Sequence, residues 1–326
     1  MRRILVVRSG GLGDTLVTLP ALRVLRRQYP GASLEVAGNT DYWSLARDLV
    51  DRIHHIDDPA IVEIFQGSPR AHFEQKFGNL DLLISWSTRE PAVRDGPPTV
   101  VSATPYPPPG IHASDWLVQT LTMGGPKPRL HQYGDTGPMT GSNPEGDPLL
   151  SMSETHLREA ELLLASHGLS RPVLLHPGAG GDWKRWPAER FAELAKELRE
   201  RDAEVALLAG PADEKAVAEV TQLFRVPVIR DDRLPVVAAL LSRSRGYVGN
   251  DSGISHLAAA VAATGLALFG PTDPASWAPG GKIRLVRGCQ KTTSKQGQIR
   301  VCEDSECMSL VTVSDVMTAV EEVIRS

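Results

Sequence analysis

The chain has 326 residues, 41% of them hydrophobic, with a net charge of −4 and 3 cysteines. This is the composition of an ordinary water-soluble protein of one large or two medium domains. It argues against nucleic-acid binding through a generally cationic surface and against a disulfide framework. The most apolar stretch, HLAAAVAATGLALFG, is shorter than the about 20 residues of a membrane span and is interrupted by Thr264 and Gly265. The opening RRILVVRSGG has an apolar run of only four residues, below the about 7 to 15 of a signal-peptide core. The expected compartment is the cytoplasm.

In chain order, Ile4–Val7 reads as a buried parallel strand. A glycine-rich turn, RSGGLGD, leads from it into an apolar-periodic helix marked by Leu16, Leu19, Leu22 and Leu25. Pro20 is expected to bend that helix and Tyr29-Pro30-Gly31 to end it. Ser33–Gly38 is the next strand, which makes a β-α-β unit with strand 1 central. Irregular chain follows, relieved by a strand at Asp81–Trp86. The proline-rich segment after Arg94 predicts long loops, and HQYGDTGPMTGSNPEGDPLL a linker or surface loop.

From Glu154 the pattern is regular again. A helix runs to a stop at Gly168. RPVLLHPGAGGDWKRWP then repeats the design of the N-terminus: apolar strand, glycine-rich loop, helix with Pro187 at its start. EVALLAGP, PVIRD, GYVGND and LALFGP supply four more strands. Two doubly wound α/β domains are therefore predicted, residues 1–150 and 151–326, with the boundary falling near 145–170. Ligands of such sheets bind beyond the carboxyl ends of the strands.

Three segments carry candidate chemistry. In the first, Gly11 and Gly13 are spaced as in a dinucleotide loop, but Leu16 occupies the third glycine position and Asp14 would repel a pyrophosphate. Asp14 is either a helix N-cap or a general base, and its local sequence leaves both readings open. In the second, Gly178, Ala179, Gly180 and Gly181 form a turn whose N–H groups can approach an anion, with Lys184 and Arg185 adding positive charge. In the third, Asp251, Ser252 and Gly253 open a helix at the end of a strand, where N–H groups and the helix dipole favour a phosphate. His256, one turn on, is either a partly buried structural histidine or a ligand contact. One base candidate with two anion-holding turns suits group transfer from a nucleotide sugar.

RILVVRSGGLGDTLVTLPALRVLRRQYPGASLEV, LLHPGAGGDWKRWPAERFAEL and GNDSGISHLAAAVAATGLALFGPTDPASWAPGG, in that order, resemble glycosyltransferase family 9, the heptosyltransferases of lipopolysaccharide core assembly. The resemblance implies a GT-B fold: two facing Rossmann-like domains with parallel sheets and a central cleft. The N-terminal domain would take the acceptor and the C-terminal domain the nucleotide sugar, and the last helix often crosses back to the first domain. It implies inverting transfer without metal or other cofactor, from ADP-heptose or a related NDP-sugar. On this reading Asp14 is the catalytic base. Lys184 neutralises the departing diphosphate with the N–H groups of Ser252 and Gly253. Asp251 holds sugar hydroxyls, and either Asp213 or Glu214 accepts from the ribose. The partners implied are the donor and a glycan or lipopolysaccharide-core acceptor, with at most peripheral contact at the inner face of the membrane.

Some residues fit that pattern less well. Residues 54–96 carry four basic side chains against seven acidic ones, which suggests a neutral or cationic small-molecule acceptor of aminocyclitol type as an alternative. Arg23, Arg26 and Arg27 are expected on a solvated helix face, with a membrane surface as the other reading. Cys289, Cys302 and Cys307 lack the close pairs of a zinc site and read as ordinary thiols. Two other classes compete: a nucleotide-sugar-binding protein without transfer activity, and an NDP-sugar epimerase or hydrolase.

Overall fold

Ile4 to Val7 is an aliphatic run in which no residue is more than 1% exposed, so it lies inside a sheet covered on both faces. The computed structural model describes residues 1–67, 70–93, 98–123, 148–288 and 306–325. They fall into two compact units, Met1–Ser142 and Asn143–Ser326. No described helix is long and apolar enough to cross a membrane.

The first unit runs β1 (Arg3–Arg8), α1 (Leu12–Leu16), α2 (Leu19–Gln28), β2 (Ser33–Gly38), α3 (Thr40–Trp43), β3 (Arg52–His55), α4 (Pro59–Gln66), α5 (Ala71–Phe77), β4 (Leu82–Trp86), β5 (Thr99–Ala103) and α6 (Ala113–Met123). Its sheet is parallel, in the order β3-β2-β1-β4-β5, so strand 1 is central as predicted. The stretch expected to be irregular holds α3, β3, α4 and α5, and the proline-rich segment contains β5.

Pro20 does not bend one helix; it begins another. The chain breaks at Val17–Thr18, and Pro20 falls in the first turn of α2. A proline inside a continuous helix would lack the N–H that bonds four residues back and would clash with the carbonyl there, whereas a first turn tolerates it. Thr18 Oγ1 donates to Asp14 O at 2.8 Å across the break.

The second unit runs α7 (Glu154–Ser166), β6 (Val173–His176), α8 (Ala188–Glu200), β7 (Val205–Ala209), α9 (Glu214–Leu223), β8 (Val228–Arg230), α10 (Leu234–Arg243), β9 (Gly246–Asn250), α11 (Gly253–Ala260), β10 (Gly265–Phe269), α12 (Pro274–Trp277), β11 (Ile283–Arg287) and α13 (Val313–Arg325). Its parallel sheet has the order β11-β10-β9-β6-β7-β8. Phe191, Leu194, Ala195 and Leu198 of α8 are buried against it, as the periodicity predicts. Gly168, just beyond α7, has φ +70, the left-handed backbone of a helix stop.

The last helix packs into the second unit's core. Val316, Met317, Val320 and Val323 of α13 are buried in one core with Val173 and Leu175 of β6 and Leu198 of α8. Arg284 of β11 donates to Glu322 at 2.5 Å, and Arg201 pairs with Glu321. The buried face of α13 is thus part of the second unit's own core.

Each sheet has one topological switch point, where successive strands depart in opposite directions. It lies between β1 and β4 in the first unit and between β6 and β9 in the second. A crevice outside the carboxyl ends of the strands is expected there. All three candidate segments sit at these two places.

Candidate active site

In the first unit the loop after β1 is built around Asp14. It is not the helix N-cap: α1 begins at Leu12, with Gly11 as the cap residue. Asp14 is in the first turn and its Oδ2 accepts the Gly11 N–H at 2.9 Å, satisfying a donor the helix leaves open. Its Oδ1 accepts from Arg8 Nη2 at 2.6 Å. The carboxylate therefore has a structural partner on each oxygen and still keeps 32% of its side-chain exposure. Cap and candidate base are one residue in two relations. The glycine that makes room is Gly10, which the spacing argument passed over. It has φ +129, and a Cβ there would lie 2.5 Å from Asp14 Oδ2.

Arg8 is the residue the motif comparison missed. It is the last residue of β1, and its side chain is 3% exposed. Burial pulls its guanidinium below the ordinary value, against the opposing influence of Asp14 and Tyr106. A charged residue closing a buried strand, six positions before a carboxylate, was the available signal.

In the second unit the site is assembled from four strand ends. Lys184 lies in the short 3₁₀ turn Asp182–Lys184, where its Nζ donates to Asp251 Oδ2 at 2.7 Å. Thr272, beyond β10 and 1% exposed, donates to the same oxygen at 2.5 Å. Asp251 is buried, so these donors are what make its charge tolerable. Lys184 also lies over the ring of Trp183, 5.1 Å from its centroid.

Ser252 is the cap residue of α11, and its hydroxyl meets His176 Nδ1 at 3.5 Å, the limit of a hydrogen bond. Gly253 begins the helix and His256 is half-buried in its first turn. His176 closes β6, buried, and its Nε2 meets Asp213 Oδ2 at 3.2 Å. Gly210 N donates to the same Asp213 oxygen at 2.8 Å. Burial alone would raise the Asp213 carboxyl; the hydrogen bond and charge of His176, the Gly210 N–H and nearby Arg185 together hold it below the usual carboxylate range. Asp213 belongs to the strand-end cluster, while Glu214 is exposed and paired with Arg230 at 3.1 Å.

The glycine loop is shaped by these side chains. A Cβ on Gly178 would fall 1.8 Å from Asp213 Oδ1, and one on Gly181 would fall 2.6 Å from Trp183 Nε1. A Cβ on Gly180 would meet nothing within 4 Å. Ala179 is half-buried and Gly180 exposed. Asn250, fully buried at the end of β9, fastens the loop: its Nδ2 donates to Pro177 O and Gly178 O at 2.9 and 3.2 Å, and its Oδ1 accepts Trp186 N at 3.0 Å. Asn250, His176 and Thr272 all escaped sequence reasoning, because their importance lies in partners distant along the chain.

Three other groups of residues are placed as follows. Three of the seven acidic side chains of residues 54–96 are engaged within the unit. Asp58 accepts Ala60 N and Lys76 Nζ, Glu63 accepts Phe73 N and pairs with His72, and Asp81 accepts Arg2 N and Arg3 N. Arg94 and Asp95 lie outside the described residues. Asp57, Glu74 and Glu90 are exposed. Arg26 is part-buried and bound to Leu49 O, Ala32 O and Asp51, while Arg27 is exposed. Cys307 is a buried thiol; Cys289 and Cys302 lie outside the described residues, as does most of the expected linker. Among the described residues no group of three or more His, Cys, Asp or Glu side chains is placed to hold a metal.

The model of glycosyltransferase family 9 (heptosyltransferase) matches residues 141–303, half of the chain. Lipopolysaccharide heptosyltransferase 2 of Salmonella typhimurium is 25% identical over 323 aligned residues, covering 89% of this chain and 90% of that protein. Lipopolysaccharide heptosyltransferase 1 of Pseudomonas aeruginosa is 27% identical, covering 83% and 79%. Among solved structures, a glycosyl transferase family 9 protein from Veillonella parvula superposes with a TM-score of 0.75 at 22% identity, over 99% of this chain and 97% of that one. The ADP-heptose lps heptosyltransferase II of E. coli gives 0.72 at 20% identity, over 100% and 99%. The two-sheet α/β architecture is the GT-B fold of these proteins.

Proposed function

The chain belongs to glycosyltransferase family 9, and from that premise we propose that it transfers a heptose or closely related sugar from an ADP-sugar to a hydroxyl of a lipopolysaccharide core. The transfer is inverting and needs no metal. The observation that carries this reading is a held carboxylate at one switch point and a held cation at the other. The first unit presents a carboxylate, Asp14, held on both oxygens. The second presents a cation, Lys184, fixed by Asp251 next to the N-terminus of α11.

The acceptor hydroxyl gives its proton to Asp14 as its oxygen bonds to the anomeric carbon. The bond from that carbon to the diphosphate breaks, and ADP leaves with the electron pair. Lys184 and the N–H groups of Ser252 and Gly253 are the donors for the charge that develops on the diphosphate. Asp251, its Oδ2 occupied by Lys184 and Thr272, offers its other oxygen to sugar hydroxyls. Asp213, not Glu214, takes the ribose. The open side of Gly180 admits the donor without a side chain in the way.

The relatives support the substrate class. Two of them are lipopolysaccharide heptosyltransferases, and one structure is an ADP-heptose enzyme. The test is Asp14→Asn, which keeps the size of the side chain and one acceptor oxygen, for Arg8 or for Gly11 N–H, and removes the base. Transfer from ADP-heptose is expected to fall by about 10²- to 10⁴-fold, with ADP affinity measured by calorimetry unchanged. Turnover at the parent rate would reduce Asp14 to a helix-capping residue and overturn the mechanism.

A further inference from the structure

Three arginines of the first unit are tied into the fold, and they are tied differently. Arg3 donates to both carboxylate oxygens of Glu35, to Lys76 O and to Asn79 Oδ1. Arg26 donates to Leu49 O, Ala32 O and Asp51 Oδ2. Both join segments distant in sequence, as structural staples do. Arg8 is the most buried of the three, yet its recorded hydrogen bond goes to one residue, Asp14, six positions along the same loop. Its Nε is buried with no partner among the described residues. Burying a cation is costly, and a single bond to a partly exposed carboxylate returns little of that cost in stability. The backbone makes a second concession to the same contact: Gly10 adopts φ +129, so that the Asp14 carboxylate can lie where any other residue would carry its Cβ.

We infer that Arg8 is a positioning residue for transfer, aiming the Asp14 carboxylate at the acceptor hydroxyl. The inference rests on the reading of Asp14 as the base. With Oδ1 held by Arg8 and Oδ2 by Gly11 N–H, the carboxylate cannot rotate, and its remaining lone pairs keep one direction. Arg8 stays protonated throughout and does not touch the substrate. A protonated Asp14 would leave the Arg8 cation buried without a counter-charge, so the acceptor's proton passes on to solvent and the carboxylate is restored for the next turnover.

The experiment compares Arg8→Ala, Arg8→Lys, Gly10→Ala and Asp14→Asn in the transfer assay with ADP-heptose. Arg8→Ala is expected to lower kcat about 100-fold while the donor KM stays within about twofold. Millimolar methylguanidinium is expected to restore at least about tenfold of the loss in Arg8→Ala and nothing in Asp14→Asn, because only the former has a guanidinium-shaped vacancy beside an intact carboxylate. A purely structural arginine would show no such selective rescue. Arg8→Lys keeps the cation but not the planar fork. It is expected to fold, judged by its thermal midpoint, and to lose about tenfold in kcat; it decides the matter if Arg8→Ala does not fold. Gly10→Ala, which displaces the carboxylate and leaves Arg8 in place, is expected to lower kcat as Arg8→Ala does. A parent-like kcat in Arg8→Lys, or in a folded Arg8→Ala, alongside an inactive Asp14→Asn would overturn the inference and leave the base in place. Parent-like turnover in Asp14→Asn would overturn the base reading itself.

Discussion

The carboxyl ends of the two sheets hold charge in contrasting ways. In the first unit Arg8 and Asp14 are six residues apart, and the whole arrangement belongs to one loop. In the second, Lys184 meets Asp251 across 67 residues, His176 meets Asp213 across 37, and Asn250 reaches back 72 and 73 residues to the glycine loop. The first unit does have a long-range ionic staple, but it joins Arg3 at the start of β1 to Glu35 of β2 and His54 of β3, away from the Asp14 loop. A local clamp aims one side chain and leaves the rest of the edge open. A clamp drawn from four strand ends fixes a surface. On the proposed mechanism the acceptor needs one aimed base, and the nucleotide sugar needs a diphosphate, a ribose and a sugar held together.

The contrast can be broken most severely at Asn250. Asn250→Ala strands Trp186 N–H and the carbonyls of Pro177 and Gly178 in a buried site. Urea unfolding is expected to show a loss of about 4 kcal/mol, with ADP binding lost alongside. A loss under about 1 kcal/mol would mean that the second cluster does not depend on its distant tie.

Acid is expected to find the first unit's staple. Burial would raise the Glu35 carboxyl, but the hydrogen bonds and charges of His54 and Arg3 outweigh it and hold it at about 2, against an ordinary 4.5. The pair therefore stabilises the fold fully above the ordinary value and progressively less as the pH falls from about 4.5 towards 2, a change of about 3 kcal/mol. In Glu35→Gln that part of the acid dependence is expected to vanish in urea titrations across the same window. An unchanged pH slope would show the staple to be energetically idle.

The smallest expected effect sharpens the comparison at the ligand. Lys184→Ala should weaken ADP about tenfold, or about 1.4 kcal/mol, in a calorimetric titration. Equal affinity would remove Lys184 from the donor site and leave the helix terminus as the anion holder.

Which of these features the chain announces follows from burial and distance. Strands covered on both faces read as apolar runs, so β1, β2, β4, β7 and β10 were legible. The edge strands β3, RIHH, and β11, IRLVR, alternate or expose their side chains and escaped notice. The Asp14 loop was visible because its partners are neighbours in sequence, although Arg8 and Gly10 were overlooked beside the more familiar glycine spacing. The second cluster was visible only as separate motifs. Nothing local to GNDSG tells that Asn250 fastens the loop after β6, or that Thr272 of GPTDP shares an oxygen with Lys184. Pro20 was read for its ring and not for its position, and only the first turn of a helix accepts it so readily.

The burial of α13 has a consequence for synthesis on the ribosome. The first unit's described elements are complete by residue 123, so its sheet can close while the rest of the chain is still being made. The second unit's core joins Val173 to Val323. Until that last turn emerges, the face of β9, β10 and β11 that α13 covers remains open. The nascent second unit must therefore wait, apolar face exposed, for residues translated long after its central strand, and that interval is when it most needs a chaperone.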